Sequence, residues 1–549
     1  MTVASIGALV IGEYPEAVAV MIFYQIGEMF ESYAVSRSRR SIQSLMEIRP
    51  DHANVLRGGE TVTVEPDEVE VGEEIVVRPG EKIPLDAVVL SGTSSLDTAA
   101  LTGESLPRDV LPGDEVLSGC VNLSGALHLK VERAFHDSTV SRILDLIENA
   151  ASKKSASEAF ISRFAGVYTP VVVGAAALLA VIPSLITGQW SAWIYRALNF
   201  LVVSCPCALV ISVPLSFFGG IGGASRIGVL VKGGTDLETL ADVDTVVFDK
   251  TGTLTEGVFE VSEVHPVGVS RETLLSLAAA AESLSTHPIA QSILRECGDA
   301  VLPAAADVRE VPGCGVEAVV GGARVAVGNA KLMRSLGLDI EEGESAGSIV
   351  HAARDGQYIG YITISDRIKP DAVQAMQALR AQGVKTLYML SGDRRAAAQA
   401  VGDALGLDGV YAELLPTDKV ETLETLAAQD RSSRGRLAFV GDGINDAPVL
   451  ARADVGVAMG ALGSDAAIES ADVVIMNDQP SRLAAAMQIA RNTLRIVREN
   501  IVLTLTVKLA VLVLCAFGLV GMWAAVFADV GVMFLAVLNA LRLLKKAKI

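Results

Sequence analysis

Thr245-Val-Val-Phe-Asp-Lys-Thr-Gly-Thr253 is a run of apolar residues that stops at a carboxylate, a lysine and a glycine-bearing turn. Such a run reads as a buried strand. Two stretches of the same build follow, Thr386-Leu-Tyr-Met-Leu-Ser-Gly-Asp393 and Leu437-Ala-Phe-Val-Gly-Asp-Gly-Ile-Asn-Asp-Ala-Pro448. Alanine-rich helical segments separate them, which is the pattern of a doubly wound parallel sheet. Ligands of such sheets bind at the carboxyl ends of the strands. Asp249, Ser391, Gly392, Asp393 and Asp442 all fall there.

A lone aspartate at a strand end is usually a turn or cap residue. Here the company is different. Asp249 and Asp442 suit a hard Mg²⁺ that also touches phosphate. Ser391 and Asp393 add polar groups, and Lys419 can neutralise phosphoryl oxygens. With Asp249 as the nucleophile, these residues make a phosphoryl-transfer set.

The chain of 549 residues is half hydrophobic (51%), with 20% charged residues. Its mean hydropathy of +0.44 implies membrane segments. The formal net charge of −19 argues against nucleic-acid binding, because no basic patch displaces counterions from phosphates. Apolar runs occur at about 167–187, 197–222, 500–520 and 523–541. Residues 3–12 are too short to span, and 15–34 could span although Glu16 and Glu28 interrupt them. Basic residues flank the runs: Arg37, Arg39 and Arg40, Lys153 and Lys154, Lys232, then Arg491, Arg495 and Arg498, and finally Arg542 and Lys545. The positive-inside rule puts these on the cytoplasmic side. Two cytoplasmic inserts result. One, about 41–155, shows strand-like alternation in Val62–Gly80; the other, about 232–498, holds the parallel sheet.

The six cysteines, Cys120, Cys205, Cys207, Cys297, Cys314 and Cys515, form no disulfide framework and no CxxC pair. Cys205-Pro206-Cys207 lies inside an apolar run. Proline cannot donate a backbone hydrogen bond, so the helix breaks or kinks there. Paired membrane cysteines are often only small apolar packing. Flanking a break, their thiolates are soft ligands. The last two runs each carry one charge, Lys508 and Asp529. Snorkelling at the interface is one reading of Lys508, but it is a poor one for the short Asp529. Charges inside a membrane are functional by default. Two sulfurs and one carboxylate suit a borderline or soft divalent ion.

These strings resemble the P-type ATPases, and through them the haloacid-dehalogenase-like phosphotransferases. The match covers DKTGT at 249–253, GDGINDAP at 441–448 and TGES at 102–105; Ser391-Gly392-Asp393 departs from the family's Thr-Gly-Asp but keeps a hydroxyl. The resemblance implies that Asp249 is phosphorylated from ATP, with Thr251 and Asp442 completing the Mg²⁺ site. It implies that Glu104, in the loop of Thr102 and Gly103, positions the hydrolytic water, and that Asn445 and Asp446 support the centre. Ser285-Thr-His-Pro288, preceded by Glu282, together with Pro312-Gly-Cys-Gly315 and Val327-Gly-Asn-Ala330, resembles the nucleotide domain of the heavy-metal branch. Glu282, His287, Gly313, Gly315 and Gly328 are then expected around adenine and ribose. The Cys-Pro-Cys with Lys508 and Asp529 resembles the zinc/cadmium/lead branch. Copper(I) pumps place polar and Met ligands in the last two spans.

The implied fold is an α-helical transmembrane bundle with a β-rich actuator domain and an α/β haloacid-dehalogenase-like phosphorylation domain. The latter carries an inserted α+β nucleotide-binding domain. The expected division is 1–40 N-terminal membrane segments, 41–155 actuator and 156–231 membrane hairpin. Residues 232–257 and 366–498 form the phosphorylation domain, 258–365 the nucleotide domain and 499–549 the C-terminal hairpin. Relatives have two further spans ahead of residue 1, so an N-terminally short set is expected. The implied function is ATP-driven export of zinc or cadmium, with lead as a further candidate. The alternatives are a copper(I) pump and a truncated, non-transporting metal-binding membrane protein. ATP, the metal ion and the bilayer are the expected partners.

Overall fold

The computed structural model describes residues 2–543 except 47–48, 99–100, 102–106, 142–143, 145–154, 205, 286, 299, 312–313, 339, 341–346, 432–434, 443–445 and 461–464. Thr102, Gly103, Glu104, Cys205, Gly313 and Asn445 thus lie outside the described residues. The chain divides into two units, residues 1–243, 472–477 and 482–549, and residues 244–471 and 478–481.

The β-rich part of the first unit is an antiparallel sheet of six strands. Their order in space is 60–64, 53–57, 74–77, 127–131, 87–91 and 115–116. A smaller sheet of 108–110, 94–97 and 121–122 accompanies it. Alternate side chains point to one face of a strand. Ile75 and Val77, then Leu127, Leu129 and Val131, therefore supply the buried face. The Asp86 carboxylate is also buried, and four donors satisfy it. Ser118 N and Oγ donate at 2.8 Å, and Thr139 N and Oγ1 at 2.9 Å.

Among the described residues, the long helices of this unit are α1 (Thr2–Ile11), α2 (Tyr14–Met46), α3 (Ala156–Thr187), α4 (Trp190–Val203), α5 (Cys207–Ser225), α6 (Gly234–Ala241), α7 (Ser481–Ala516) and α8 (Met522–Ala540). Among the described residues, four stretches are long and apolar enough to cross a bilayer: Ala156–Thr187, Trp190–Ser225, Ser481–Ala516 and Met522–Ala540. A capping box starts α3. Glu158 N donates to Ser155 Oγ at 3.0 Å, and Ser155 N donates to Glu158 Oε2 at 2.7 Å. The third apolar run ends a helix far longer than itself, because the residues from Ser481 onward already keep the helical period. Helix α5 packs on α8 through Ile211 and Leu215 against Val532, Met533 and Val537. Helices α1 and α2 meet α4 and α8 around Ala8, Val20, Leu198, Val202 and Val526.

The second unit is built on parallel strands β1 (Val243–Asp249), β2 (Thr386–Leu390), β3 (Gly409–Tyr411), β4 (Arg436–Gly441) and β5 (Val455–Met459). Their order is β5-β4-β1-β2-β3. Val246, Val247 and Phe248 are fully buried, as a strand covered on both faces requires. Between β1 and β2 the chain forms a second, antiparallel sheet ordered 255–266, 357–368, 348–354, 323–328, 315–320 and 305–311. Helices Arg271–Ala281 and Pro288–Cys297 cover it, with Leu274, Ala278 and Ile293 packed on Val320, Val327, Ile362 and Ile364.

Candidate phosphorylation and metal sites

Asp249 closes β1, where the strand's last register partner is Leu390. Only 6% of it is exposed. Its carboxyl is pushed up to about 7, first by burial and then by the neighbouring Asp446, with Lys419 opposing. Lys419 Nζ donates to Asp249 Oδ1, and to Asp446 Oδ1 at 3.0 Å. Burial pulls the Lys419 pKa down, but Asp249 and Asp446 more than offset this and raise it. Asp442, just beyond β4, is also raised, by burial and then by Asp446, while Lys369 pulls it down. One oxygen from each of Asp249, Asp442 and Asp446 lies within 4.8 Å of the others. Clustered hard oxygens of this kind suit a small divalent cation.

Gly252 sets the turn after Asp249. It has φ +73°, and a Cβ there would overlap the Asp442 carboxylate. Only glycine lets the two acidic loops meet. Thr251 stands exposed on the same turn. At the end of β2, buried Ser391 accepts at Oγ from Asp393 N at 3.1 Å. Asp393 in turn pairs with Lys250.

A second tier of residues escaped the sequence reading. Lys369 Nζ donates to Gly252 O at 2.6 Å and pairs with Asp478 Oδ1 at 2.8 Å. Asp366 accepts from Thr255 Oγ1 at 2.5 Å and lies 3.6 Å from Lys250 Nζ. The available signal was Ser365-Asp-Arg-Ile-Lys-Pro370, where an apolar strand breaks into alternating charges before a proline.

In the inserted sheet, Glu282 is buried and its carboxyl is raised, chiefly by burial. His287 is exposed and caps the helix at 288, its Nδ1 accepting from Ile289 N at 3.2 Å. Gly315 and Gly328 face each other across paired strands. A Cβ on either would strike the neighbouring backbone. Strand-to-strand crowding therefore demands glycine at both positions.

The membrane helix breaks at the expected proline. Helix α4 ends at Val203, and Pro206 opens α5, its carbonyl accepting from Leu209 N and Val210 N at 3.0 and 3.1 Å. Lys508, on α7, is 5% exposed and does not snorkel. It pairs with Asp529 of α8 and donates to Val203 O at 3.1 Å. Half-buried Cys207 starts α5. A metal ligand at this position needs the reduced thiolate. Among the described residues, Cys120, Cys297, Cys314 and Cys515 are free cysteines.

The profile of haloacid dehalogenase-like hydrolases matches residues 243–454, and that of the P-type ATPase actuator domain matches 47–148. A zinc-transporting ATPase of Synechocystis sp. is 53% identical over 549 residues, covering 99% of this chain and 76% of that protein. The chain belongs to the metal-transporting P-type ATPases. A cadmium, zinc and cobalt-transporting ATPase of Bacillus subtilis is 52% identical, over 99% of this P-type ATPase and 78% of its own length. Among solved structures, a zinc-transporting PIB-type ATPase in an E2.Pi state superposes with a TM-score of 0.66 at 40% identity. That comparison covers 99% of this chain and 89% of the other. The pump is therefore an ATP-hydrolysing, multi-pass membrane protein with large cytoplasmic domains.

Proposed function

We propose that this P-type ATPase exports zinc or cadmium, with lead as a further candidate, through an aspartyl phosphate at Asp249. The observation that carries the choice of ion is the buried pair of Lys508 and Asp529 beside the Cys-Pro-Cys break. A carboxylate and two thiolates suit a borderline divalent ion, whereas soft thiolate and thioether ligands select copper(I). The relatives named for zinc and cadmium transport support the same ions.

In the reaction, a carboxylate oxygen of Asp249 attacks the γ-phosphorus of ATP. The bond to the bridging oxygen breaks and ADP leaves. Lys419 balances the phosphoryl charge, and Ser391 and Asp393 shape the adjoining wall. Asp249, Asp442 and Thr251 would hold Mg²⁺, which supplies further charge compensation when bound; Asn445 and Asp446 support this loop. Glu282, His287, Gly313, Gly315 and Gly328 receive the nucleoside. Water oriented by Glu104, on the Thr102-Gly103 loop, then attacks phosphorus and restores the Asp249 carboxylate. The ion binds to Cys205 and Cys207 on either side of Pro206 and to Asp529. Lys508 reclaims Asp529 as the ion leaves.

ATP hydrolysis by purified protein under reducing conditions, across zinc, cadmium, lead, cobalt and copper(I), tests the reading. Stimulation by zinc and cadmium is expected. Stimulation greatest with copper(I) would reassign the cargo.

A further inference from the structure

Residues 491, 495, 498, 502 and 506 of α7 recur at spacings of four, three, four and four, so they share one face of the helix. The cytoplasmic part of this stripe is Arg491, Arg495 and Arg498. The part that enters the apolar run is Val502 and Thr506. The stripe walls a groove of about 890 Å³, closed on the other side by Ala241 and Asp242 at the end of α6.

Arg491 belongs to the framework. Its Nε donates to Ala241 O at 2.9 Å and its Nη2 to Val243 O at 3.0 Å. Arg495 and Arg498 are exposed, and among the described residues neither has an ion-pair partner. Two acids also face the groove, Asp242 and Glu499. Glu499 Oε2 accepts from Asn539 Nδ2 at 3.1 Å. Three guanidiniums against two carboxylates leave the rim positive. Below it, Val502 is 64% exposed and Leu503 36%.

We propose that this groove binds an anionic glycerophospholipid of the cytoplasmic leaflet. Its phosphate sits at Arg495 and Arg498, and its upper acyl chain lies on Val502 and Leu503. Charge and depth argue together. Arg498 lies two residues before the apolar run, which puts its guanidinium at the level of the lipid phosphates. Guanidinium forks match phosphate oxygens in a bidentate manner. Basic pockets at this level take acidic head groups, and each such cation adds about 1 kcal/mol of attraction. A soluble phosphate would leave the apolar half of the groove unused. A soluble protein could not reach that half, which lies in the hydrocarbon.

Native mass spectrometry of the full chain from phosphatidylcholine nanodiscs doped with phosphatidylglycerol tests this. The Arg495→Ala/Arg498→Ala variant should retain phosphatidylglycerol roughly thirtyfold more weakly. Its phosphatidylcholine count and metal-stimulated hydrolysis in pure phosphatidylcholine should not change. Val502→Asp should weaken the same lipid, because the acyl chain loses its seat. Excess glycerol 3-phosphate should not displace the lipid. Undiminished retention by the double variant would overturn the site. So would indifference to Val502→Asp, which marks diffuse surface attraction, or full displacement by glycerol 3-phosphate, which marks a plain phosphate site.

Discussion

The Lys508 ammonium donates to the main-chain carbonyl of Val203, 3.1 Å away and across two helices. In an unbroken helix that carbonyl would accept from the backbone N–H of Cys207, four residues on. Helix α4 stops at Val203, and Pro206 caps α5, so the carbonyl is freed. Lys508 fills the vacancy while pairing with Asp529. The proline break and the intramembrane charge are thus one structure. Lys508→Ala should leave a buried carboxylate without its counter-charge, at a cost of about 3–5 kcal/mol. Lower thermal stability without metal is expected, together with metal that binds but leaves slowly. Unchanged metal release and stability would refute the counter-charge role. Asp529→Ala should abolish stimulation by zinc and cadmium without creating a copper(I) response.

The phosphoenzyme can be read directly. Radiolabelled γ-phosphate from ATP should remain on the protein in acid and leave with hydroxylamine. Asp249→Asn should lose that label, since the amide has nearly the same shape but is a poor nucleophile. Glu104→Ala should accumulate it, because only the hydrolytic step is disturbed. Full labelling of Asp249→Asn would move the nucleophile elsewhere.

Much of this was legible in the sequence, for identifiable reasons. A fully buried strand must be an uninterrupted apolar run, so β1, β2 and β4 declared themselves together with the carboxylates at their ends. Pro206 announced its break because proline has no N–H to give. Lys508 and Asp529 stood out because charges are rare in membranes. What stayed hidden depended on tertiary contact. Nothing local marks Lys369 as the partner of Gly252 and Asp478, which lie 117 residues upstream and 109 downstream in the chain. The glycines of 312–315 and 327–330 looked like ligand contacts. Gly315 and Gly328 also meet each other across a hairpin, a pairing that only strand register defines.

Asp249 titrates at about 7, because burial and Asp446 outweigh Lys419. An ordinary aspartate titrates near 3.8, so between about 3.8 and 7 the native carboxyl holds a proton that the unfolded chain has lost. The folded state therefore loses stability as pH rises through that window. Asp249→Asn removes this dependence and should gain stability relative to wild type over the same rise, in thermal unfolding without Mg²⁺. Lys419→Met should push the Asp249 carboxyl above 7 and shift the acid limb of phosphorylation to higher pH. A limb that stays put, or moves to lower pH, would contradict the assigned ion pair.

His287 is exposed and only caps its helix, so its loss should spare the fold. His287→Ala should raise the ATP concentration needed for half-maximal phosphorylation by roughly tenfold, the equivalent of about 1.4 kcal/mol of binding. Phosphorylation at saturating ATP should be retained. Failure at every ATP concentration in a folded variant would place His287 in the chemistry.

Lys369 touches none of the groups that exchange phosphate, yet it holds the turn that carries them. It grips the Gly252 carbonyl at 2.6 Å and is itself anchored by Asp478 at 2.8 Å. It also draws down the Asp442 pKa. Removing it leaves a half-buried carbonyl unpaired and frees the turn that keeps Asp249 close to Asp442. Misplacement of a reacting group by about 1 Å can cost roughly a hundredfold in rate. Lys369→Met should slow phosphoenzyme formation by about that factor, with the apparent affinity for ATP unchanged. Higher Mg²⁺ should be needed as well, because Asp442 then protonates more readily. Lys369→Arg should recover part of the rate by keeping the charge and a donor. Rapid-quench phosphorylation over a Mg²⁺ series separates positioning from simple loss of stability. A Lys369→Met variant with a normal Mg²⁺ requirement and normal rate would show that the grip on Gly252 is dispensable.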